Sequence, residues 1–158
     1  CHALAAHCSA PLPALRNRAI QGACAWLAGN GDLHATNVSM VRQPRGEWVI
    51  APVYDIPSTV VYGDKTLALT MGGKRTGISR RHCLGWATEL GLPDRAAFKV
   101  LELALNASGP LVADLEAGTA FAVVNGQKGN GDGGAPFPDM VTRAWVKELK
   151  HRRRLLEG

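Results

Sequence analysis

The densest run of chemically useful side chains in this 158-residue sequence is Gly29-Asn30-Gly31-Asp32-Leu33-His34-Ala35-Thr36-Asn37. Within it Asp32 and Asn37 form a D-x-x-x-x-N pair, a spacing suited to phosphoryl transfer. A carboxylate accepts or orients the proton of the attacking hydroxyl, while an Asn amide oxygen close by ligates Mg²⁺ on the phosphates. The same two residue types also cap ordinary turns. A second carboxylate shifts the weighing: Asp55 lies just past the return limb of a predicted hairpin whose outgoing limb starts at Asn37. A hairpin brings its end back to its beginning, so Asn37 and Asp55 can offer two hard oxygens to one Mg²⁺, with phosphates and water completing the octahedron. On the residues alone, Asp55 as a turn cap ahead of Pro57 remains the open alternative.

The elements that must hold these residues can be read from periodicity. Leu12, Leu15, Ala19, Ile20, Ala23, Trp26 and Leu27 recur at helical spacing after Pro11 and Pro13 and before Gly29, which predicts one helix ended by a glycine. The polar run after it is a loop. Val38 and Met40, then Gln43-Pro44-Arg45-Gly46, then Trp48-Val49-Ile50 read as a short hairpin. Pro52 and Pro57 keep Val53-Tyr54-Asp55-Ile56 irregular. Ser79 is a good N-cap for a helix carrying Cys83, Leu84, Ala87 and Leu90 that Gly91 ends, and Pro93-Asp94 opens another with Ala97, Phe98, Leu101 and Leu105 on one face. A further helix is expected from Pro110 to Val124. The glycine-rich stretch over 125–137 reads as a flexible connection, and after it comes a last helix with Val141, Trp145 and Leu149 four residues apart.

The composition bounds the function. With 46% hydrophobic and 20% charged residues the chain is an ordinary globular unit, one domain or one lobe of something larger, and neither disordered nor collagen-like. No uninterrupted apolar run approaches the roughly 20 residues of a bilayer crossing, so no membrane is expected. The net charge of +5 suits a phosphate-bearing ligand or an acidic partner without demanding nucleic acid. Four cysteines without a CxxC pair suit a reducing compartment, the cytoplasm, and a start at Cys1 with no secretory signal reads as a piece of a longer protein.

Other candidates fall away on spacing. Lys74 stands after two glycines, but a phosphate loop needs Gly where Ala68 stands and Ser or Thr where Arg75 stands. Cys1, His2, His7 and Cys8 are zinc-ligand types whose spacing does not favour tetrahedral closure. The Arg152-Arg153-Arg154 run reads as a solvated helix end favoured by the helix dipole.

The ordered set Gly29-Asn30-Gly31-Asp32-Leu33-His34-Ala35-Thr36-Asn37-Val38-Ser39, Ala51-Pro52-Val53-Tyr54-Asp55-Ile56 and Leu67-Ala68-Leu69 with Gly72-Gly73-Lys74 resembles the C-terminal lobe of HipA-like serine/threonine kinases, the toxins of bacterial toxin–antitoxin modules. The resemblance covers roughly Leu12 to Leu105. It implies a mainly α fold, the helical C-lobe of a protein-kinase-like architecture, with a short β-hairpin carrying the catalytic and metal-binding loops. It also implies ATP as phosphoryl donor, Mg²⁺ as cofactor, a protein substrate, and an antitoxin-like DNA-binding partner through which any contact with nucleic acid is indirect. Position by position, Asp32 matches the catalytic aspartate, Asn37 the metal-binding asparagine, and Asp55 the aspartate that holds metal and nucleotide. His34 and Tyr54 match residues lining the nucleotide. No Gly-rich cover or phosphate-pairing lysine lies in these residues; both belong to an N-lobe, so the isolated chain is expected to be inactive or nearly so. Two alternatives remain: a non-catalytic lobe that docks an antitoxin-like DNA-binding protein, and a Mg²⁺-dependent phosphotransferase acting on a small molecule.

Overall fold

The computed structural model describes residues 6–118 and 139–158. Helix α1 spans Pro11–Ala28 and leads to the strands β1 (Met40–Arg42) and β2 (Trp48–Ile50), then α2 (Arg80–Glu89), α3 (Asp94–Ala117) and α4 (Asp139–Glu157), with short 3₁₀ turns at Ala35–Asn37 and Thr59–Tyr62. The architecture is mainly helical with one two-stranded antiparallel sheet. The glycine-rich connection expected over 125–137 lies outside the described residues, as do Cys1 and His2.

Helix α1 is the centre because its small residues let neighbours approach. Ala19 and Ala23 are 1% and 0% exposed, opposite Ala97 and Ala104 of α3 at 1% and 0%. Trp26 and Leu27 extend that seam to Leu101 of α3, Cys83 of α2, Leu156 of α4, and Leu67, Met71 and Ile78 of the intervening segment. A second cluster joins Ala19 to Ala87, Leu90, Leu92, Ala97 and Val100. The hairpin is pinned to the start of α1 by Cys8, Ala14 and Ile50, with Met40 packed against them. Its pairing is Met40 to Ile50, Val41 to Val49 and Arg42 to Trp48, turned at Gly46, whose φ of 91° only glycine adopts freely.

The helix that starts after Pro93 does not end before Pro110, as the sequence suggests: α3 runs through it to Ala117. The proline removes one helical donor. Nearby, Leu105 O gains side-chain donors, Arg153 Nη1 at 2.5 Å and Ser108 Oγ at 3.0 Å. Beyond the proline, Leu111, Val112 and Leu115 pack on Val146 and Leu149 of α4, so tertiary contact holds the last turns in line. This uninterrupted α3 is long and apolar enough to cross a bilayer by length and composition, with a mean hydropathy of 1.2 in its most apolar window. Charged residues, Lys99, Glu102, Asp114 and Glu116 among them, interrupt its apolar run, and in this fold Ala97, Leu101, Ala104 and Leu115 pack on α1 and α4.

Arg152 requires a second correction. The basic run at the C-terminus is not simply a solvated helix end, because Arg152 is 0% exposed. Its position explains this: Trp145, Leu149, Arg152 and Leu156 fall on one helical face, and that face is the buried one. Phe98, expected on the apolar face of α3, is instead 45% exposed under the Arg80 guanidinium.

Candidate functional site

The polar loop starts where α1 must stop. Gly29 takes a φ of 72°, its N–H bonds to Trp26 O, and the Asn30 N–H reaches back 2.8 Å to Ala25 O. This pair of bonds is a Schellman closure, which satisfies the last helix carbonyls and turns the chain abruptly. Asn30 is then 1% exposed, and its Oδ1 accepts the Asp32 N–H at 2.8 Å. Its Nδ2 is buried with no partner among the described residues. The Gly31 N–H donates to Thr59 Oγ1 at 3.1 Å, and a Cβ at Gly31 would collide with that same hydroxyl. Thr59 also donates its own N–H to Gly29 O at 2.9 Å. The loop is thus bolted to the 58–59 segment from both sides.

Asp32 organises the remainder of the loop. Its carbonyl oxygen accepts the His34 N–H and the Asn37 Nδ2–H, each at 2.8 Å, and its Oδ1 lies 3.1 Å from His34 Nε2. The Asp32 and His34 side chains are about half exposed, at 47% and 57%, so the carboxylate stands at the surface and not in the core. Because the Asn37 amide nitrogen is committed to Asp32, the amide oxygen is left as the group able to meet a hard cation.

The second limb arrives through the hairpin. The Ala51 N–H pairs with Ser39 O at 2.9 Å, continuing the ladder past β2. Gln21, buried on α1, donates Nε2 to Ala51 O at 3.2 Å. Beyond it the Tyr54 hydroxyl lies 2.6 Å from Ser39 Oγ and 3.5 Å from Thr36 O, so residue 54 touches the chain on either side of Asn37. Asp55, the next residue, has a φ of 54°. It is the one described non-glycine residue with positive φ, a region that aspartate enters more readily than most side chains, in turns as well as at functional sites. Among the described residues no group of three or more His, Cys, Asp and Glu could hold a metal; a Mg²⁺ bound mainly through phosphates needs only one or two carboxylates.

Sequence reasoning finds the loop and misses its supports. Asn30, Thr59 and Gln21 act within a fold whose contacts reach far along the chain, which no local spacing reveals. Arg152 is the largest omission. Its guanidinium stacks 4.1 Å from the centre of the Trp26 ring, and it donates to Trp26 O at 3.0 Å, Lys65 O at 2.8 Å and Glu148 Oε1 at 3.0 Å. A cation therefore sits on Trp26 O, in the last turn of the very helix that feeds the loop, where the helix dipole favours it. Glu148 in turn holds Lys65 Nζ at 2.9 Å. Burial alone raises the Glu148 carboxyl, but hydrogen bonds from Lys65 and Arg152 outweigh it and hold the group below the ordinary glutamate value.

A helix closed on a polar Asp–Asn loop is thus followed by a hairpin beyond which the Tyr54 hydroxyl reaches back to Ser39 and Thr36. The HipA-like C-terminal domain family matches residues 1–109, and the chain belongs to that family. Among solved structures, HipA from the Shewanella oneidensis MR-1 toxin–antitoxin system, determined with HipB and its operator DNA, shares the fold. Its TM-score is 0.69 and its identity 21%, over 98% of this chain and 34% of that one. The chain thus spans about a third of the length of that relative. No curated protein sequence matches it. Helix α4, which carries Arg152, lies beyond the residues that the family match covers.

Proposed function

We propose that this chain is the C-terminal lobe of an ATP-dependent serine/threonine protein kinase of the HipA-like type. Asp32 orients the hydroxyl of the protein substrate and accepts its proton; His34, whose Nε2 lies 3.1 Å from Asp32 Oδ1, braces that carboxylate. Asn37 Oδ1 and the Asp55 carboxylate hold Mg²⁺, with Tyr54 beside the nucleotide. When bound, Mg²⁺ neutralises charge developing on the phosphates, and positioning supplies the rest, because phosphoryl transfer asks little covalent chemistry of a protein. The observation that carries this reading is the commitment of Asn37 Nδ2 to the Asp32 carbonyl, which leaves the amide oxygen as the available ligand in a loop that also presents the Asp32 carboxylate.

The protein that contains this lobe needs a second one to cover the phosphates, and the isolated chain is inactive on this account. The compartment is the cytoplasm, away from membranes; the described cysteines Cys8, Cys24 and Cys83 are all free thiols, in keeping with a reducing compartment. An antitoxin-like DNA-binding protein is the proposed partner, because the relative of like fold was determined with HipB and operator DNA. That complex also supports a second reading, a docking lobe without catalysis. Asp32→Asn and Asp55→Asn in the full-length protein separate the two: each is expected to lower ATP-dependent phosphorylation at least about 100-fold. Phosphorylation unchanged by either substitution, or absent from a wild type that still binds its antitoxin, overturns the kinase reading.

A further inference from the structure

Helix α2 carries a glycine in its interior: Gly85 is the sixth of its ten residues. Such a glycine destabilises a helix relative to alanine, and its usual warrant is a neighbour that needs the space. Gly22 of α1 is the ordinary case, since a Cβ there would collide with the Trp86 indole. Gly85 differs. It is exposed, it has no positive φ, and a Cβ built on it would meet nothing within 4 Å. Among the described residues nothing requires its small size, and the space above it is open to a second backbone.

The surroundings have the form of an interface. Gly85 lies in an open groove of about 580 Å³ between α2 and α3, lined also by Leu84, Thr88, Ala97 and Phe98. Phe98 is 45% exposed, with the Arg80 Cζ 5.6 Å from the centre of its ring. The exposed face of α2 also carries a charge on either side of the glycine. Arg81 stands four residues before Gly85 and Glu89 four after; both are exposed, and neither forms an ion pair among the described residues. Residues i, i+4 and i+8 fall along one helical face. The three therefore make a line about 12 Å long, cation, gap and anion, that is its own complement when reversed.

We propose that this face binds a second copy of the same chain, α2 crossing α2 antiparallel about a two-fold axis at Gly85. In a two-fold contact residue i meets residue j and j meets i. Antiparallel crossing sets Arg81 of each copy opposite Glu89 of the other, so one patch yields two ion pairs. A parallel crossing would set like charges together, and a uniformly acidic or basic partner would meet a like charge at one end. The paired glycines let the two backbones approach, while Leu84, Thr88 and Phe98 supply apolar cover. The proposal does not depend on the kinase reading.

The test is sedimentation velocity on the full-length protein over a range of concentrations, with the two charges exchanged. The expected result is a reversible dimer whose dissociation constant rises at least about tenfold in Arg81→Glu and in Glu89→Arg, and falls back toward the wild-type value in the double variant Arg81→Glu/Glu89→Arg. Residues 81 and 89 make no ion pair within one chain, so restoration reports contact between copies. Gly85→Ala guards against misfolding: it is expected to raise the thermal midpoint, because alanine is the better helix former, and yet to weaken the dimer. A wild type that stays monomeric, a dimer indifferent to the three single substitutions, or a double variant no tighter than its parents overturns the proposal.

Discussion

Two arginines are buried on or against α1, each over a tryptophan, and they are treated in opposite ways. Arg152 is surrounded: two backbone carbonyls, the Glu148 carboxylate and the Trp26 face compensate it within the chain. Arg18 has the Trp86 face and no carboxylate among the described residues. The first charge is a fastening, tying the last helix to the end of α1 and so to the base of the Asp32 loop. The second is a charge whose burial only the Trp86 face offsets among the described residues. The contrast teaches that burial of a charge is not by itself a sign of structure or of function; its partners decide.

Replacement tests the contrast most sharply at Arg152. Arg152→Ala leaves Glu148 without its most buried partner and strips donors from Trp26 O and Lys65 O, and it is expected to lower unfolding free energy by about 3–5 kcal/mol in urea denaturation. A loss under about 1 kcal/mol would mean that the network is only tolerated. Arg18→Met in the isolated chain is expected to go the other way, raising stability by about 1 kcal/mol or more, because no pairing is lost and desolvation is relieved; a large loss would show that Arg18 has a partner inside the chain. Asp55→Gly should stabilise by about 1 kcal/mol by relieving the positive φ, while abolishing Mg²⁺-dependent nucleotide binding. A loss of stability instead would mean that the carboxylate holds its own loop.

The smallest effect is a pH dependence. Glu148 has a folded-state pKa below its unfolded value, so its contribution is fully present above the ordinary glutamate pKa of about 4.3 and lost as pH falls through the lower folded value. Urea titrations between neutral pH and about pH 3 should therefore show a decline in stability that is shallower in Glu148→Gln. Equal slopes in both proteins would remove Glu148 from the fastening.

Legibility in the sequence depended on range. Asp32 and Asn37 are joined by bonds within their own loop, and the hairpin is fixed by a local turn at Gly46, so both could be read from spacing. The ends of α1 at Gly29 and of α2 near Gly91 were likewise local matters of positive φ. Pro110 misled because a local rule was overridden by packing on α4. Arg152 misled because its partners, Trp26 and Lys65, lie 126 and 87 residues away. A signal was nonetheless present: Arg152 continues the stripe of Trp145 and Leu149 toward Leu156, and it stands one turn after Glu148. Arg18 likewise lies one turn after Ala14, on the buried side of α1. Asn30 and Thr59 gave no such signal, since their places are set only when the 58–59 segment folds back on the loop.

The claim that Asn37 and Asp55 meet at one cation is tested most directly by paramagnetic relaxation with Mn²⁺–ATP on the labelled full-length protein. The account predicts that the Asn37 side-chain amide and the Asp55 backbone amide broaden first and together, and that Asp55→Asn removes the effect at both. Broadening of one without the other, or a pattern unchanged by Asp55→Asn, would contradict it.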